Sequence, residues 1–170
     1  MESLVDGHLT RSIGISNFQG SLIMDLMRHA RIPPATLQIE HHPYLVQQPL
    51  LDLAKKLAIA VTAYSSFGPQ SFLELDMRAA RDAQPLLQHP TIRDIAERNG
   101  KSTAQVLLRW ATQRGVAVIP KSNNQERLAA NLDVCSFELG EEDLKRISGL
   151  DQGLRFNNPV NYGFDLPIFS

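Results

Sequence analysis

The chain has 170 residues, 43% of them hydrophobic, which suffices for one domain with a substantial core but not for two large domains. The formal net charge of −1 argues against the broad basic surface of a nucleic-acid-binding protein. The only cysteine, Cys135, excludes an intrachain disulfide and leaves a structural zinc site without its usual thiol pairs.

The sequence predicts neither a signal peptide nor a membrane span. Residues 1–7 lack the basic start and apolar core of a signal peptide. No later run reaches the roughly 20 apolar residues that a membrane span needs. A lone cysteine also fits a reducing compartment. We therefore expect a cytoplasmic, soluble protein that binds neither nucleic acid nor a membrane.

Short β-type runs alternate with longer segments of helical period, a pattern typical of βα units with a parallel sheet. We predict strands at residues 12–15, Thr36–Glu40, Ala60–Tyr64 and 116–119. Polar residues follow each strand at once, namely Ser16 and Asn17, His41 and His42, Ser65 and Ser66, and Lys121, Ser122 and Asn123.

Helices are predicted from apolar residues at helical spacing. One such face contains Leu22, Ile23, Leu26 and Met27, and a second lies within residues 50–57. Four further helices are predicted near residues 89–99, 103–114, 125–132 and 141–150, and Trp110 on the second of these is expected in the core.

Residues 67–87 are predicted to form a loop, since Gly68, Pro69 and Pro85 punctuate the segment. A loop of this length in a compact domain is usually functional, for example as a lid.

In parallel α/β folds, functional residues collect at the carboxyl ends of the strands. Four βα units are about half of a (β/α)8 barrel, which typically needs around 250 residues. An open flavodoxin-like sheet is the alternative, but it normally has an early Gly-rich phosphate loop, and this sequence has none.

The turn after the fourth strand suits a phosphate. Lys121 offers a flexible charge and Arg127 a rigid fork of donors, beside the free amides of a helix N-terminus. The alternative is a capped helix with solvated cations, because Ser or Asn before a helix, followed by Glu, is a common capping pattern.

Four motifs, at residues 12–18, 38–44, 63–70 and 119–123, resemble the aldo-keto reductase family in order and spacing. Residues 65–72 and 153–157 are most similar to its fungal xylose-reductase members. The resemblance covers essentially the whole chain. It implies a parallel (β/α)8 TIM barrel of the aldo-keto reductase type, of which residues 1–170 would form the last four βα units, with the N-terminal half of the barrel absent.

The resemblance also implies a nicotinamide site. Ser16, Asn17 and Gln38 would hydrogen-bond the carboxamide, and Tyr64 would stack on the ring, an arrangement that fixes which ring face meets the substrate. The alternative for Tyr64 is an aromatic residue of the barrel core.

The remaining cofactor contacts follow by the same resemblance. Amides near Ser65 and Phe67 would face the pyrophosphate, and Gln70 and Glu74 would close over it. NADPH is favoured, with NADH also possible because Glu74 and Asn123 suit ribose hydroxyls. The 2′-phosphate would be bound by Lys121, Ser122, Asn123 and Arg127, and the adenine by Asn131, next to Ala130 where many relatives carry an acidic residue.

The family's proton donor is a Tyr tuned by a Lys, with an Asp and a His, and none of these positions matches a residue of this chain. Tyr44 and Tyr162 do not match, and Tyr44 is expected to be packed. His41 and His42, as neighbours in an extended segment, point to opposite faces and are not expected to share a metal. By the same resemblance, Asn157 is expected to contact a hydroxyl group of a sugar substrate.

Two functions fit the resemblance. The first is NADPH-dependent reduction of an aldehyde or aldose in the complete barrel, with this chain weakly active or inactive. The second is a non-catalytic half-barrel that binds NADP(H) or associates with another chain.

Half a barrel has unpaired edge strands and an open inner face, so we expect a homodimer or aggregation.

Overall fold

The computed structural model describes residues 1–163, 168 and 169. Its sheet contains the strands β1 (Gly14–Ser16), β2 (Thr36–Glu40), β3 (Ala60–Tyr64) and β4 (Val116–Val118), in the order β1-β2-β3-β4. β1 and β2 pair in parallel. The α/β class and the four predicted strands are confirmed, with shifts of one or two residues at the ends of β1 and β4.

Helices fill the segments between the strands. None of those in the described part of the chain is long and apolar enough to cross a bilayer. The α-helices are α1 (Glu2–Asp6), α2 (Gly20–His29), α3 (Gln48–Lys56), α4 (Arg78–Asp82), α5 (Pro90–Asn99), α6 (Thr103–Gln113), α7 (Gln125–Leu132) and α8 (Glu141–Ser148).

The prediction of a loop at residues 67–87 is wrong. The segment contains a 3-10 helix (Gly68–Leu75), α4 and a second 3-10 turn (Leu86–Gln88). Phe72 and Leu86 are buried there, so tertiary packing stabilises turns that are too short to show helical periodicity. Proline early in the first of these helices also pre-sets its backbone angle.

The chain divides into two compact units. The first unit comprises Met1–Ile39 and Gln47–Thr62. Ile23 of α2 and Ala54 of α3 are fully buried in it. The predicted apolar face of α2 is wrong at Leu22, which is 47% exposed, because the buried face is centred on Ile23 and turns Leu22 outward.

The second unit comprises Glu40–Val46 and Ala63–Ser170, and its core is built on α5 and α6. Trp110 of α6 is buried and donates through Nε1 to Ser148 Oγ at 3.0 Å, which confirms its predicted core position. α6 begins with a capping box in which Ser102 and Gln105 bond each other's backbone amides, satisfying donors that a helix start leaves open.

His41 is buried in the second unit between two partners. Its ring stacks on Trp110 with centroids 4.8 Å apart, and its Nε2 lies 3.2 Å from Arg114 Nη1. A guanidinium only donates, so this nitrogen is the acceptor. Burial, together with the charges of Arg114 and His42, lowers the pKa of His41 to about 3, and the ring is neutral in the folded protein.

We predict that the free energy of unfolding decreases as the pH falls, because His41 takes up a proton more readily in the unfolded chain than in the folded protein. Its pKa is about 3 in the fold and about 6.5 in the unfolded chain, so between these values only the unfolded chain takes the proton. This contribution is complete above about pH 6.5 and should fall by about 2 kcal/mol from pH 7 to pH 5. Urea unfolding at both pH values should show that the free energy of unfolding falls less between pH 7 and pH 5 in His41→Gln than in the unmodified protein. Equal decreases in the two proteins would contradict a neutral, buried His41.

Candidate functional site

Three of the predicted site residues meet within the first unit. Ser16 lies opposite Gln38 in the parallel pairing of β1 and β2, and its hydroxyl donates to the Gln38 carbonyl at 3.1 Å. The Asn17 amide donates to the same carbonyl at 2.9 Å. Asn17 has a φ of 58°, a left-handed conformation that Asn tolerates better than most residues. The strand ends therefore hold these polar groups together.

A cleft of about 790 Å³ lies in the second unit, a volume within the range of small-molecule sites. It is bordered by the segment after β3, the start of α6, the turn after β4 and the first turns of α7. The predicted residues that line it are Ser65, Phe67, Gln70, Lys121, Ser122, Asn123, Arg127 and Asn131.

The charge of the cleft is positive. Lys121 and Arg127 line it, and no Asp or Glu does so among the residues that the structure describes. The N-terminus of α7 adds the positive end of a helix dipole. An anionic ligand is therefore favoured there.

Capping of α7 is compatible with a ligand site. Asn124 Oδ1 accepts the Arg127 amide at 2.9 Å, so Asn124 caps the helix. Ser122 Oγ accepts the Asn124 amide and Arg127 Nε, both at 3.2 Å. The predicted helix cap is therefore observed at Asn124. Binding of a phosphate stays a prediction, and Lys121 and Arg127 both line the cleft where it would bind.

A tight turn forms the β3 side of the cleft. Ser65 has a φ of 55°, and its carbonyl accepts the Gly68 amide at 2.8 Å. Gly68 has a φ of +60°, and a Cβ there would lie 2.6 Å from Leu86 Cδ1. Glycine is therefore favoured at this position for both backbone and packing reasons.

Several residues that line the cleft were not among the predicted site residues. The Ser102 cap could have been identified from the Ser-x-x-Gln pattern, but its position beside the turn after β4 could not, because nothing local encodes it. The others are mostly apolar and carry no chemical signal. These lining residues are Ser66, Ser71, Leu87, Ser102, Ala104, Ile119, Pro120 and Ala130. Ser66, Ile119, Pro120 and Ala130 belong to segments singled out from the sequence, but no contact to the cofactor was predicted for them.

The structure places Tyr64 beside Asn157 and outside the residues described as lining the cleft. Asn157 Nδ2 donates to the Tyr64 hydroxyl at 2.7 Å. The two residues predicted at the nicotinamide ring and at the substrate are therefore in direct contact. Glu74 belongs to the 3-10 helix Gly68–Leu75, but its side chain lies outside the described part of the structure, so its predicted role stays a prediction.

Tyr44 is packed, as predicted. It is 1% exposed, its hydroxyl donates to the Gln84 carbonyl at 2.9 Å, and burial raises its pKa. The Tyr162 side chain lies outside the described residues.

His42 Nε2 lies 2.9 Å from Glu40 Oε1. Within residues 1–163, 168 and 169, no group of three His, Cys, Asp or Glu side chains is arranged to hold a metal.

Comparison with known proteins gives consistent matches. The sequence profile of the Aldo/keto reductase family matches residues 1–152. A probable NAD(P)H-dependent D-xylose reductase of Emericella nidulans is 66% identical over 169 residues, which are 99% of this chain and 53% of the relative. An NAD(P)H-dependent D-xylose reductase of Aspergillus niger is 64% identical with the same coverage. The chain spans about half the length of the curated relatives it matches.

A solved structure is also similar. The crystal structure of an aldo-keto reductase complexed with NADPH matches with a TM-score of 0.85 and 31% identity, covering 98% of this chain and 54% of that chain. The α/β sheet described above is consistent with part of a (β/α)8 barrel.

We predict that Gly68→Ala destabilises the protein more than Gly100→Ala. Both glycines have nearly the same positive φ, but a Cβ at Gly100 would meet nothing within 4 Å. The φ penalty is therefore shared, and the difference reports the clash with Leu86, expected at about 1 kcal/mol or more. Urea unfolding of both variants measures it, and equal losses would contradict the tight packing of this turn.

Proposed function

The chain belongs to the aldo/keto reductase family, and from this we propose that it carries the NADP(H)-binding part of a xylose-reductase-like carbonyl reductase. In the complete barrel, the reaction would be reduction of an aldehyde or aldose to the alcohol, with the nicotinamide supplying the hydride when it is bound. The observation that carries the proposal is the cleft of the second unit, which Lys121 and Arg127 both line and whose described lining contains no acidic residue.

The donors of the cleft suit a dinucleotide that bears a 2′-phosphate. Lys121 and Arg127 would pair with the phosphate, since a guanidinium and an ammonium are its usual partners. Ser122 and Asn123 would add hydrogen bonds, and Asn131 would contact the adenine. Backbone amides near Ser65 and Phe67 would face the pyrophosphate, and Gln70, which also lines the cleft, would close over it.

The contacts to the nicotinamide are proposed residue by residue. Ser16, Asn17 and Gln38 offer hydroxyl and amide groups to the carboxamide, supported by their grouping at the ends of β1 and β2. Tyr64 offers an aromatic face to the ring. Asn157 would contact a sugar hydroxyl, supported by its bond to the Tyr64 hydroxyl.

NADPH is the proposed cofactor, and use of NADH is a secondary property. Loss of the 2′-phosphate would leave Lys121 and Arg127 without their anionic partner, which favours NADPH. Asn123 and Glu74 are residue types that suit the ribose hydroxyls of NADH.

A cytoplasmic location belongs to the same proposal, supported by Cys135 being the sole cysteine.

The chain by itself is proposed to bind NADP(H) with little or no turnover. None of the family's proton-donor positions matches a residue of this sequence. Tyr44 is buried with its hydroxyl bonded to a backbone carbonyl, so it is unsuited to protonate a substrate. Binding of the cofactor depends largely on the cleft, which lies entirely within the second unit.

We predict saturable binding of NADPH that depends on the two cations of the cleft. Lys121→Ala and Arg127→Ala should each weaken NADPH binding by about 10- to 100-fold, the effect of losing one hydrogen bond to a charged group. NADH binding should change much less. Fluorescence titration measures all of these affinities.

Lys145→Ala is the matched control, since Lys145 is an exposed cation on α8 and does not belong to the described lining of the cleft. It should bind NADPH like the unmodified protein. Equal weakening by all three substitutions, or no binding by the unmodified chain, would contradict the proposal.

We also predict that the chain oxidises NADPH in the presence of an aldose no faster than the background rate, because no residue takes the proton-donor role. Absorbance at the NADPH band measures this rate. A rate well above background that Tyr64→Ala abolishes would show that the chain is catalytic by itself.

A further inference from the structure

Glu40 is a fully buried carboxylate at the end of β2, and its hydrogen bonds reach far along the chain. Oε1 accepts the Phe156 amide at 2.9 Å, and Oε2 accepts the Asn157 amide at 2.9 Å. His42 Nε2 also lies 2.9 Å from Oε1. All four residues belong to the second unit. Such donors are needed, because a buried carboxylate without them is very costly.

The two backbone bonds form a clamp. Because each carboxylate oxygen accepts a consecutive amide, both the position and the orientation of residues 156 and 157 are fixed. The Phe156 side chain adds packing, since it is fully buried with its ring centroid 5.5 Å from that of Phe72. The segment is therefore held by its backbone and by one side chain.

The clamp determines where the Asn157 side chain lies. With its amide bound to Glu40, Asn157 extends its Nδ2 to the Tyr64 hydroxyl at 2.7 Å. The geometry links Glu40 to Tyr64 through Asn157, although no bond between Glu40 and Tyr64 is needed.

We propose that Glu40 is a positioning residue, whose carboxylate holds the Phe156–Asn157 backbone so that the Asn157 carboxamide stays on the Tyr64 hydroxyl. The consequence for substrate selection rests on the proposed function, in which Tyr64 meets the nicotinamide and Asn157 the substrate. Glu40 then sets the placement of Asn157 over the reacting end of the site without touching either ligand.

Arg155, which precedes the clamped segment, is a partly buried cation near the Glu40 carboxylate. Burial lowers the pKa of the Arg155 guanidinium, while the negative charge of Glu40 acts in the opposite direction. The Arg155 guanidinium also lies 3.9 Å from the centre of the Phe169 ring. The segment that Glu40 clamps thus contributes a cation of its own to the surroundings of the carboxylate.

Glu40→Gln tests the clamp with a nearly isosteric side chain. The carboxamide keeps one acceptor oxygen but presents an NH2 group to the second backbone amide, which cannot accept. The matched control is Asp143→Asn. Asp143 is another largely buried carboxylate of the second unit, bonded to Arg98 Nη2 at 2.7 Å, and it has no described contact with the clamp.

Nitrogen-15 NMR of the full chain gives two readouts without cofactor. In Glu40→Gln, exchange of the Phe156 or Asn157 amide should accelerate by at least about tenfold, the effect of losing a hydrogen bond to a charged group. The Asn157 side-chain amide signals should move towards those of exposed asparagine. Asp143→Asn should leave both readouts unchanged, even if it lowers the overall stability.

Tyr64→Phe separates the two links of the chain of contacts. It removes the phenol oxygen, so the Asn157 side-chain signals should move while the Phe156 and Asn157 backbone amides stay protected. Unchanged Asn157 side-chain signals in Glu40→Gln, or equal changes in Asp143→Asn, would overturn the proposal. If Glu40→Gln does not fold, exchange in the unmodified protein decides, because unprotected Phe156 and Asn157 amides would overturn it equally.

The outcome is independent of the proposed function. A protected clamp in a chain that fails to bind NADPH would contradict the proposed function alone. An unprotected clamp in a chain that binds NADPH tightly would contradict only the positioning role of Glu40.

Discussion

Burial of the Glu40 carboxylate is the constraint on which the reacting end of the candidate site depends. A charge inside the protein must be surrounded by donors, and here two of the donors are backbone amides from 116 and 117 residues further along the chain. The requirement therefore brings the segment containing Asn157 back to the end of β2 and places its side chain against Tyr64. One buried acid thus organises a segment that contains no regular secondary structure at residues 151–158.

The cleft follows from more local rules. The end of β3 turns sharply at Ser65 and Gly68, and the short strand β4 leads into a turn whose Asn124 caps α7. Capping uses the asparagine, and so Lys121 and Arg127 remain available to a ligand on the same side of the helix. The resulting surface carries two cations and hydrogen-bond donors, which is the basis of the proposed preference for a 2′-phosphate.

Local sequence patterns predicted the strands, the later helices and the cations of the cleft. These features depend on the spacing of apolar residues, on helix caps and on strand ends, all of which are determined by residues close together in the sequence. The predicted apolar face of α2 is wrong at Leu22, and the short helices within residues 68–88 were predicted to be a loop. Tertiary contacts determine both the buried face of α2 and the formation of these short helices. Glu40 was missed as a functional residue for the same reason. Within its own segment it is a strand-end acid, and its partners Phe156 and Asn157 are close only in the folded chain.

Mapping of NADPH onto the backbone by nitrogen-15 NMR tests the central claim most directly, namely that the second unit contains an NADP(H) site. The account predicts that saturating NADPH shifts the amides of residues 65–71 and 121–131, and that NADH produces smaller shifts at residues 121–127 because it lacks the 2′-phosphate. Shifts confined to other parts of the chain, or identical shifts at residues 121–127 with both nucleotides, would contradict it.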